Sequence, residues 1–368
     1  MIHVPVPLGD RAYDISIASG ILDRAGELLL PRLDGRKALI IADDTVAQLH
    51  GARLIAALAA AGIQATIATF SAGEPSKTLA TAERMWAACA AAKIDRTDAV
   101  IGFGGGVSGD LAGYVAACWM RGVRFVQIPT TLLAMVDSSV GGKTGVNSAA
   151  GKNLVGAFKQ PVAVLIDPAL VATMNRREYR AGLAEVLKYG IIRDPDFFRW
   201  QEQFATELEA GEPNAVAHAV AESCRIKAWY VVEDETEQGV RAHLNYGHTF
   251  GHALERETRY ERYLHGEAVG IGMRMAAALA RLQNLLPDDQ LARRQDELLK
   301  RFHLPLVHTA RDVNAAVTAL AAACGLDKKV ARGRTRFVVP TRIGAAELVE
   351  ALDTEHVQRA FLAGMSPG

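Results

Sequence analysis

The first half of the chain alternates short β-rich runs with alanine-rich helical stretches, and this alternation limits the possible folds more than any other feature. Strands joined by helices require right-handed crossovers, which place the strands parallel in one sheet. We predict strands at residues 37–44, 65–70, 99–103 and 124–128, and helices at 46–61, near 78–92 and from Asp110. The pattern predicts an α/β fold with a Rossmann-like, mainly parallel sheet.

The pattern changes after an apolar run at residues 162–166, and from about residue 176 nearly every long segment has helical spacing. A chain of 368 residues suits two domains at about 150 residues each. We therefore predict a nucleotide-binding α/β domain over residues 1–175 and an all-helical domain over 176–368, with the active site in the cleft between them. Beyond about residue 340 we expect only a helical tail without assignable chemistry.

Composition argues against several classes of function. The 41 basic and 41 acidic side chains cancel, whereas proteins that bind nucleic acid usually carry a basic excess. The sequence contains no apolar run near the roughly 18 residues of a membrane span, and its first residues lack the pattern of a secretory signal. The four cysteines lie far apart, which predicts reduced thiols. We expect a cytoplasmic enzyme with a small substrate.

The segment Gly104–Gly109 reads GGGVSG and fits the G-x-G-x-x-G pattern between a predicted strand and a predicted helix. Glycines at these places let backbone N–H groups approach a pyrophosphate, although a tight turn without any ligand also fits. The usual ribose-binding acid about 20 residues further on is missing, because residues 111–136 contain no acid. We look for that acid upstream in Asp43-Asp44, where Asp44 could equally be the N-cap of the next helix.

Two further segments near this loop carry charge. Glu74-Pro75-Ser76-Lys77 precedes a predicted helix, and it either caps that helix with a solvated Lys77 or contacts a cofactor ribose or phosphate. Asp110 could be a plain first-turn acid that suits the helix dipole. Because an acid would repel a nearby phosphate, we favour for Asp110 a contact with a substrate hydroxyl or with nicotinamide.

A long polar loop follows the last strand of the alternating region, from Pro129 to Asn147. Its Gly-Lys-Thr around Lys143 resembles the end of a P-loop, but the first glycine of that motif would fall on Asp137, so we reject a nucleotide-triphosphate site. Long loops rich in hydrogen-bonding groups are usually functional in compact domains. Lys143, Lys152 and Asn153 could bind carboxylate or phosphate oxygens, or the lysines could be solvated surface residues.

His248 and His252 lie four residues apart on one face of a predicted helix, and His265 begins another helix soon after. Imidazole and carboxylate are suitable ligands for Zn²⁺, which in catalytic sites keeps one position open. The pair lacks the glutamate of H-E-x-x-H, which argues against a thermolysin-like peptidase. Two core or surface histidines on a helix capped by Asn245 are the alternative.

Three charged side chains occupy apolar helix faces. Lys227 lies on a stripe with Val220, Cys224 and Val231, and a buried lysine needs a partner or an anionic ligand. Glu185 and Lys188 lie among core-type neighbours, where they form either a simple ion pair or a carboxylate ligand beside an anion-binding lysine.

Taken together, these segments resemble the 3-dehydroquinate synthase family of sugar-phosphate cyclases. The resemblance runs from about residue 37 to about residue 330. It rests on the motifs at residues 73–77, 104–110, 129–147, 151–158, 182–190, 244–252 and 265–269.

The resemblance implies a role for each candidate residue. A divalent metal ion, Zn²⁺ or Co²⁺, would be held by Glu185, His248 and His265, with His252 as a proton-transfer group. NAD would be bound by Gly105, Gly106, Val107 and Asp110, surrounded by Asp44, Glu74, Lys77, Thr130, Thr131, Lys152 and Thr173. The substrate pocket would contain Asp137, Lys143, Asn153, Lys188, Lys227, Arg241, Asn245 and Lys329. Arg121 resembles an arginine that reaches a neighbouring subunit's phosphate site, which implies a homodimer.

The implied reaction converts 3-deoxy-D-arabino-heptulosonate 7-phosphate, a small anionic sugar phosphate of the shikimate pathway, to 3-dehydroquinate and phosphate. NAD transiently oxidises the C5 hydroxyl while the metal ion polarises it, phosphate is eliminated, NADH returns the hydride, and an intramolecular aldol reaction closes the ring. The alternatives are a sister sugar-phosphate cyclase, a group III metal-dependent alcohol or glycerol dehydrogenase, and a catalytically silent nucleotide-binding regulator.

Overall fold

The protein, seen in a computed structural model, divides into two compact units. The first contains residues 1–174 and 216–232, and the second contains residues 175–215 and 233–368. The structure describes residues 1–324, 335–350 and 353–368. Lys329, which the family resemblance places in the substrate pocket, therefore lies outside the described residues.

The first unit is built on a sheet in which seven of the described strands pair in the order β1-β2-β9-β6-β5-β3-β4. All neighbours are parallel except β1 and β2, so the predicted mainly parallel sheet is confirmed. A separate antiparallel hairpin is formed by β7 and β8. The strands are β1 (Ile2–Val6), β2 (Tyr13–Ile17), β3 (Lys37–Asp43), β4 (Gln64–Phe70), β5 (Ala99–Gly104), β6 (Arg124–Pro129), β7 (Lys143–Ser148), β8 (Gly151–Phe158) and β9 (Ala163–Ile166).

The helices of the described chain cover the sheet of the first unit and make up most of the second. Those of the first unit are α1 (Ala25–Leu29), α2 (Asp44–Ala60), α3 (Leu79–Ala91) and α4 (Gly106–Cys118), together with most of α8, which is given below. The remaining helices are α5 (Arg176–Ile192), α6 (Pro195–Gln203), α7 (Ala205–Ala210), α8 (Pro213–Glu233), α9 (His248–Glu257), α10 (His265–Leu282), α11 (Gln290–Arg301), α12 (Val313–Ala323) and α13 (Thr354–Ala363).

The core of the first unit lies between the parallel strands and helices α3 and α4. Leu39, Val100 and Phe125 from three neighbouring strands pack against Met85 and Leu111 from these two helices. The chain runs from β3 outward to β4 and then returns to β5 on the other side of β3. Such a reversal of strand order opens a crevice at the carboxyl ends of the strands, where ligands of α/β proteins bind.

The second unit is mainly helical, and it also contains short strands that the sequence pattern did not predict. β10 (His308–Ala310) pairs with β13 (Met365–Pro367), and β11 (Phe337–Arg342) forms a hairpin with β12 (Ala345–Val349). The expectation of only a helical tail after residue 340 is therefore wrong. In the described part of the chain, no helix combines the length and apolar character needed to cross a membrane.

Two element boundaries in the first unit also differ from the sequence prediction. α4 begins at Gly106 rather than at Asp110, because the glycine segment itself forms the first helical turn. The polar segment after β6 is not a plain loop: residues 134–138 form one π-helical turn, and β7 and β8 form a hairpin. Sequence patterns with small and polar residues on both faces do not show the alternation on which strand prediction depends.

Candidate functional site

The glycine segment joins β5 to α4 at the crevice of the first unit. Gly104 has φ +149, and a Cβ there would lie 2.3 Å from Oγ of Ser108. A Cβ at Gly109 would lie 2.6 Å from Oε1 of Gln127, so this glycine lets α4 pack closely on β6. Gly105, as N-cap, has no side chain to cover the first N–H groups of α4. These groups and the positive end of the helix suit a phosphate.

The paired aspartates at the end of β3 have different roles. Asp43 is the N-cap of α2, because its Oδ1 accepts a hydrogen bond of 2.9 Å from the N–H of Val46. The interpretation of Asp44 as N-cap is therefore wrong. Instead, Oδ1 of Asp44, the first residue of α2, accepts a hydrogen bond of 3.1 Å from the N–H of Ala72 and links the start of α2 to the segment before Glu74.

Lys77 joins two of the other implied site residues. Its ammonium contacts Oδ2 of Asp110 and donates a hydrogen bond of 2.5 Å to Oδ1 of Asn153. The Lys77 side chain is only 4% exposed, so its interpretation as a solvated lysine is wrong. Burial raises the pKa of Asp110, while the charge of Lys77 opposes that shift. Glu74 is close by in the sequence, and its Oε1 lies 3.9 Å from Nζ of Lys152.

The three threonines that the family resemblance assigns to the NAD site contact other residues of the first unit. The N–H of buried Thr130 donates to the carbonyl of Gly104 over 2.9 Å. Thr131 lies beside the glycine segment, since its methyl group is 3.3 Å from the place of a Cβ on Gly105. The hydroxyl of Thr173 donates to Leu170 and lies 2.9 Å from Nε2 of His50, an imidazole whose pKa is lowered by burial. Val107 lies in the first turn of α4.

Buried Lys227 and half-buried Asp137 form an ion pair within the first unit. Nζ of Lys227 donates hydrogen bonds of 2.7 Å to Oδ1 of Asp137 and 2.5 Å to its carbonyl oxygen. The π-helical turn at residues 134–138 presents both oxygens on the same side, and such turns are frequent at functional sites. Lys227 lies on the apolar stripe of α8, as predicted, and its required partner is Asp137.

Two implied substrate contacts of the first unit lie at its surface. Lys143 is exposed at the start of β7. Arg121 is exposed on a 3₁₀ turn after α4, where its φ of +67 is unusual for a residue with a side chain.

In the second unit, Glu185, His248 and His265, the ligand set that the family resemblance implies, come together. Oε1 of Glu185 lies 3.5 Å from Nε2 of His248 and 3.7 Å from Nε2 of His265. Lys188 contacts the other carboxylate oxygen, so the alternative of an i,i+3 ion pair also holds. Glu185 is fully buried, and among the described residues its Oε1 has no hydrogen-bond donor.

Glycines bring the three ligand-bearing helices close enough for this arrangement. A Cβ at Gly266 would lie 1.8 Å from the carbonyl of Ala181, so the start of α10, with His265, lies against α5 one turn before Glu185. A Cβ at Gly272 would lie 2.1 Å from the carbonyl of Gly247, the residue that begins α9 beside His248. Any side chain at either position would push the helices apart.

The imidazoles are oriented by their second ring nitrogens. Nδ1 of His248 lies 3.1 Å from the carbonyl of Tyr246, and Nδ1 of His265 lies 3.2 Å from Oε1 of Glu255. Acceptors at Nδ1 favour the tautomer whose Nε2 lone pair can bind a metal ion. Burial, together with the charge of Lys188, holds the pKa of His248 well below its ordinary value. Two imidazoles and a carboxylate oxygen that lacks a donor among the described residues fit a divalent ion of the Zn²⁺ or Co²⁺ type.

Glu255 is a residue that the sequence reasoning missed. It is buried on α9 and lies between two of the histidines, with Oε2 4.0 Å from Nε2 of His252. His252 itself is exposed at the edge of the cluster, where its ring is 5.6 Å from that of His248. The spacing His248, His252, Glu255 follows one helix face and was the available signal.

Arg241 and Asn245 share a 3₁₀ helix before α9, at residues 240–245. Three backbone N–H groups, including that of Arg241, donate to the carboxylate of Asp234. Burial alone would raise the pKa of Asp234, but these donors together lower it below its ordinary value. Asn245 donates a hydrogen bond of 2.8 Å to Glu237, and Gly247 is the N-cap of α9, so the N-cap interpretation of Asn245 is wrong.

Family models and a curated relative indicate the same family for this chain. Models described as 3-dehydroquinate synthase N-terminal and 3-dehydroquinate synthase C-terminal match residues 67–181 and 182–330. A curated 3-dehydroquinate synthase from Agrobacterium fabrum is 48% identical over 371 residues, which cover 99% of this chain and 97% of the relative.

Two solved structures share the fold. 2-epi-5-epi-valiolone synthase from Streptomyces hygroscopicus, solved with NAD⁺ and Zn²⁺ bound, is 30% identical and covers 95% of this chain and 96% of its own, with a TM-score of 0.83. 2-deoxy-scyllo-inosose synthase, solved with carbaglucose-6-phosphate, NAD⁺ and Co²⁺, is 24% identical and covers 99% and 100%, with a TM-score of 0.87.

Proposed function

The chain belongs to the 3-dehydroquinate synthase family and is thus a phosphate-eliminating cyclase of the lyase class; we propose that the two clusters described above perform its chemistry. The substrate is 3-deoxy-D-arabino-heptulosonate 7-phosphate, and the products are 3-dehydroquinate and phosphate. When bound, NAD supplies a temporary hydride acceptor and the divalent metal ion supplies a Lewis acid.

The proposed cofactor contacts lie in the first unit. The uncovered N–H groups at the start of α4 bind the pyrophosphate of NAD, and the glycines keep that approach open. Asp44, Glu74 and Thr131 orient the rest of the cofactor. Lys77 holds Asp110 and Asn153 in place for the substrate hydroxyls and nicotinamide.

The second unit contributes the metal ligands and cations for the substrate. Glu185, His248 and His265 would hold the metal ion, and Lys188 keeps positive charge beside it for an anionic substrate group. His252 is exposed and can exchange a proton with water, which suits a proton-transfer group. Arg241, like Lys143 and Lys227 of the first unit, binds carboxylate or phosphate oxygens, because guanidinium and ammonium groups match these anions.

One observation carries this proposal above all. Among the residues that the structure describes, no hydrogen-bond donor reaches the buried Oε1 of Glu185, which faces Nε2 of both His248 and His265. A buried carboxylate oxygen without a hydrogen-bond donor destabilises the folded protein, and a bound divalent cation removes this destabilisation.

The activity is tested with purified protein, the heptulosonate phosphate, Zn²⁺ and a catalytic amount of NAD. We expect phosphate release over many turnovers per NAD without accumulation of NADH. Stoichiometric accumulation of NADH would instead support a dehydrogenase, and failure to release phosphate from this substrate would reject the proposal.

The quaternary structure and location are further parts of the proposal. We propose that Arg121, which is exposed on its turn after α4, contacts a phosphate bound by a second copy in a homodimer, as the family resemblance implies. Arg121→Ala should raise KM for the sugar phosphate, and mixing it with a variant inactive for another reason should restore part of the activity. The cytoplasmic location inferred from the separated cysteines stays a prediction.

A further inference from the structure

Asn147, near the end of β7, connects three segments of the first unit by three hydrogen bonds. Its backbone N–H donates to the carbonyl of Lys77 over 2.8 Å. Its side-chain Nδ2 donates to Oε1 of Glu74 over 2.7 Å, and its Oδ1 accepts from the backbone N–H of Asn153 over 3.0 Å. One amide side chain therefore joins the segment before α3 to the start of β8.

The segments that Asn147 joins carry four residues of the proposed cofactor and substrate site: Glu74, Lys77, Lys152 and Asn153. Asn153 has a left-handed backbone with φ +58, which is uncommon for a residue other than glycine and is fixed here by the bond to Asn147. In that conformation the side chain of Asn153 accepts the hydrogen bond from Lys77. Asn147 thus contacts two of these residues by its side chain and a third by its backbone.

An amide side chain has both the donor and the acceptor that these two contacts require. Nδ2 must donate to a carboxylate while Oδ1 accepts from an N–H, and a carboxylate at position 147 could serve only the second. At a separation of 2.7 Å from Oε1 of Glu74, a second carboxylate would repel the first.

We propose that Asn147 is a positioning residue for NAD binding, which fixes the carboxylate of Glu74 and, through Asn153, the ammonium of Lys77. The inference rests on the proposed function, because it takes Glu74 and Lys77 as cofactor contacts. The inference adds a residue that acts on the cofactor contacts through Glu74 and Asn153, and that the sequence alone did not mark as a site residue.

The test is a double-mutant cycle on the dissociation constant of NAD, measured by titration of the full-length protein. Asn147→Asp should raise the dissociation constant about tenfold or more, because it loses a charge-assisted hydrogen bond and gains a repulsion. In the Glu74→Gln background, Asn147→Asp should raise the dissociation constant of NAD less than about twofold, because the amide introduced at position 74 can donate to the carboxylate introduced at position 147.

Asn214→Asp is the matched control, since Asn214 is exposed in the first turn of α8, where an acid suits the helix dipole. It should leave NAD binding unchanged. Equal losses from Asn147→Asp in both backgrounds, or a lower melting temperature with unchanged NAD affinity, would mark Asn147 as purely structural and overturn the inference. If the wild-type protein binds no NAD, the proposed function fails first.

Discussion

Lys188 contacts one carboxylate oxygen of Glu185 and leaves the other, Oε1, facing the imidazoles of His248 and His265. The two oxygens of one side chain therefore have different tasks. Oε2 neutralises a buried ammonium, and Oε1 is presented as a ligand atom. Because both residues lie on α5, this division depends only on their spacing of three residues along one helix.

We predict that Glu185→Gln removes metal binding and destabilises the protein at the same time. The amide lacks the charge that binds a divalent ion, so metal affinity should fall by more than about 100-fold. It also leaves the Lys188 ammonium buried without a counter-charge, which should cost about 3–5 kcal/mol of unfolding free energy. Chelator competition measures the first effect and denaturant unfolding the second.

The double variant Glu185→Gln, Lys188→Met separates these effects. Removing both charges should recover most of the stability, because a buried pair replaced by apolar or neutral groups is often neutral. Metal binding should stay lost. If the double variant binds the ion as tightly as the wild type, the assignment of Glu185 as a ligand is wrong.

A second prediction concerns Glu255, which contacts His265 on the side away from Glu185. Glu255→Gln weakens the acceptor that orients the imidazole, and changes of this kind typically cost about 10–100-fold in metal affinity. The control is Glu257→Gln, which removes the same charge two residues further along α9, beside His308. Equal metal affinity of the two variants, measured by chelator competition, would contradict the orienting role.

The sheet could be predicted from sequence because its strands are local, apolar and separated by regular helices. Residues 38–42 and 99–104 are buried on both faces and form continuous apolar runs in the sequence. The return of α8 to the first unit could not be predicted, because it depends on distant contacts such as the bond between Lys227 and Asp137. Nor could the strands after residue 336, whose short hairpin is stabilised by pairing that sequence periodicity does not report.

The site shows the same limit. His248 and His252 were visible through their helical spacing, and Glu185 through its charge in an apolar segment. Glu255 and Asn147 act on other site residues rather than on a ligand, so their importance depends on orientation in space. The only sequence signal for Glu255 is that it shares a helix face with His248 and His252, and an ordinary asparagine in a polar segment carries no such signal.

A third prediction addresses the glycine segment. Gly109→Ala places a methyl group 2.6 Å from Oε1 of Gln127, so α4 must move away from β6 or Gln127 must shift. Overpacking of this kind costs about 1–3 kcal/mol, and displacement of the helix start should weaken NAD binding. Adding Gln127→Ala makes space for the methyl group and should restore most of the affinity in an NAD titration. A double variant as weak as the single one would show that Gly109 acts in another way.

The last prediction uses the lowered pKa of Asp234, whose carboxylate accepts from the backbone N–H groups of Gln238, Gly239 and Arg241. A carboxyl group whose pKa is lower in the folded state than in the unfolded state stabilises the fold at every pH above the unfolded-state pKa. This stabilisation is lost as the pH falls through the folded-state pKa. Asp234→Ala should therefore reduce the unfolding free energy at neutral pH, by about 1 kcal/mol since the half-buried carboxylate is partly screened. The difference in unfolding free energy from the wild type should vanish in acid, once the wild-type carboxyl is protonated.

At neutral pH the Asp234→Ala variant should also raise KM for the sugar phosphate more than it lowers kcat, because the backbone that holds Arg241 is released. A stability difference that persists unchanged into acid would show that the carboxylate charge has no part in holding this segment.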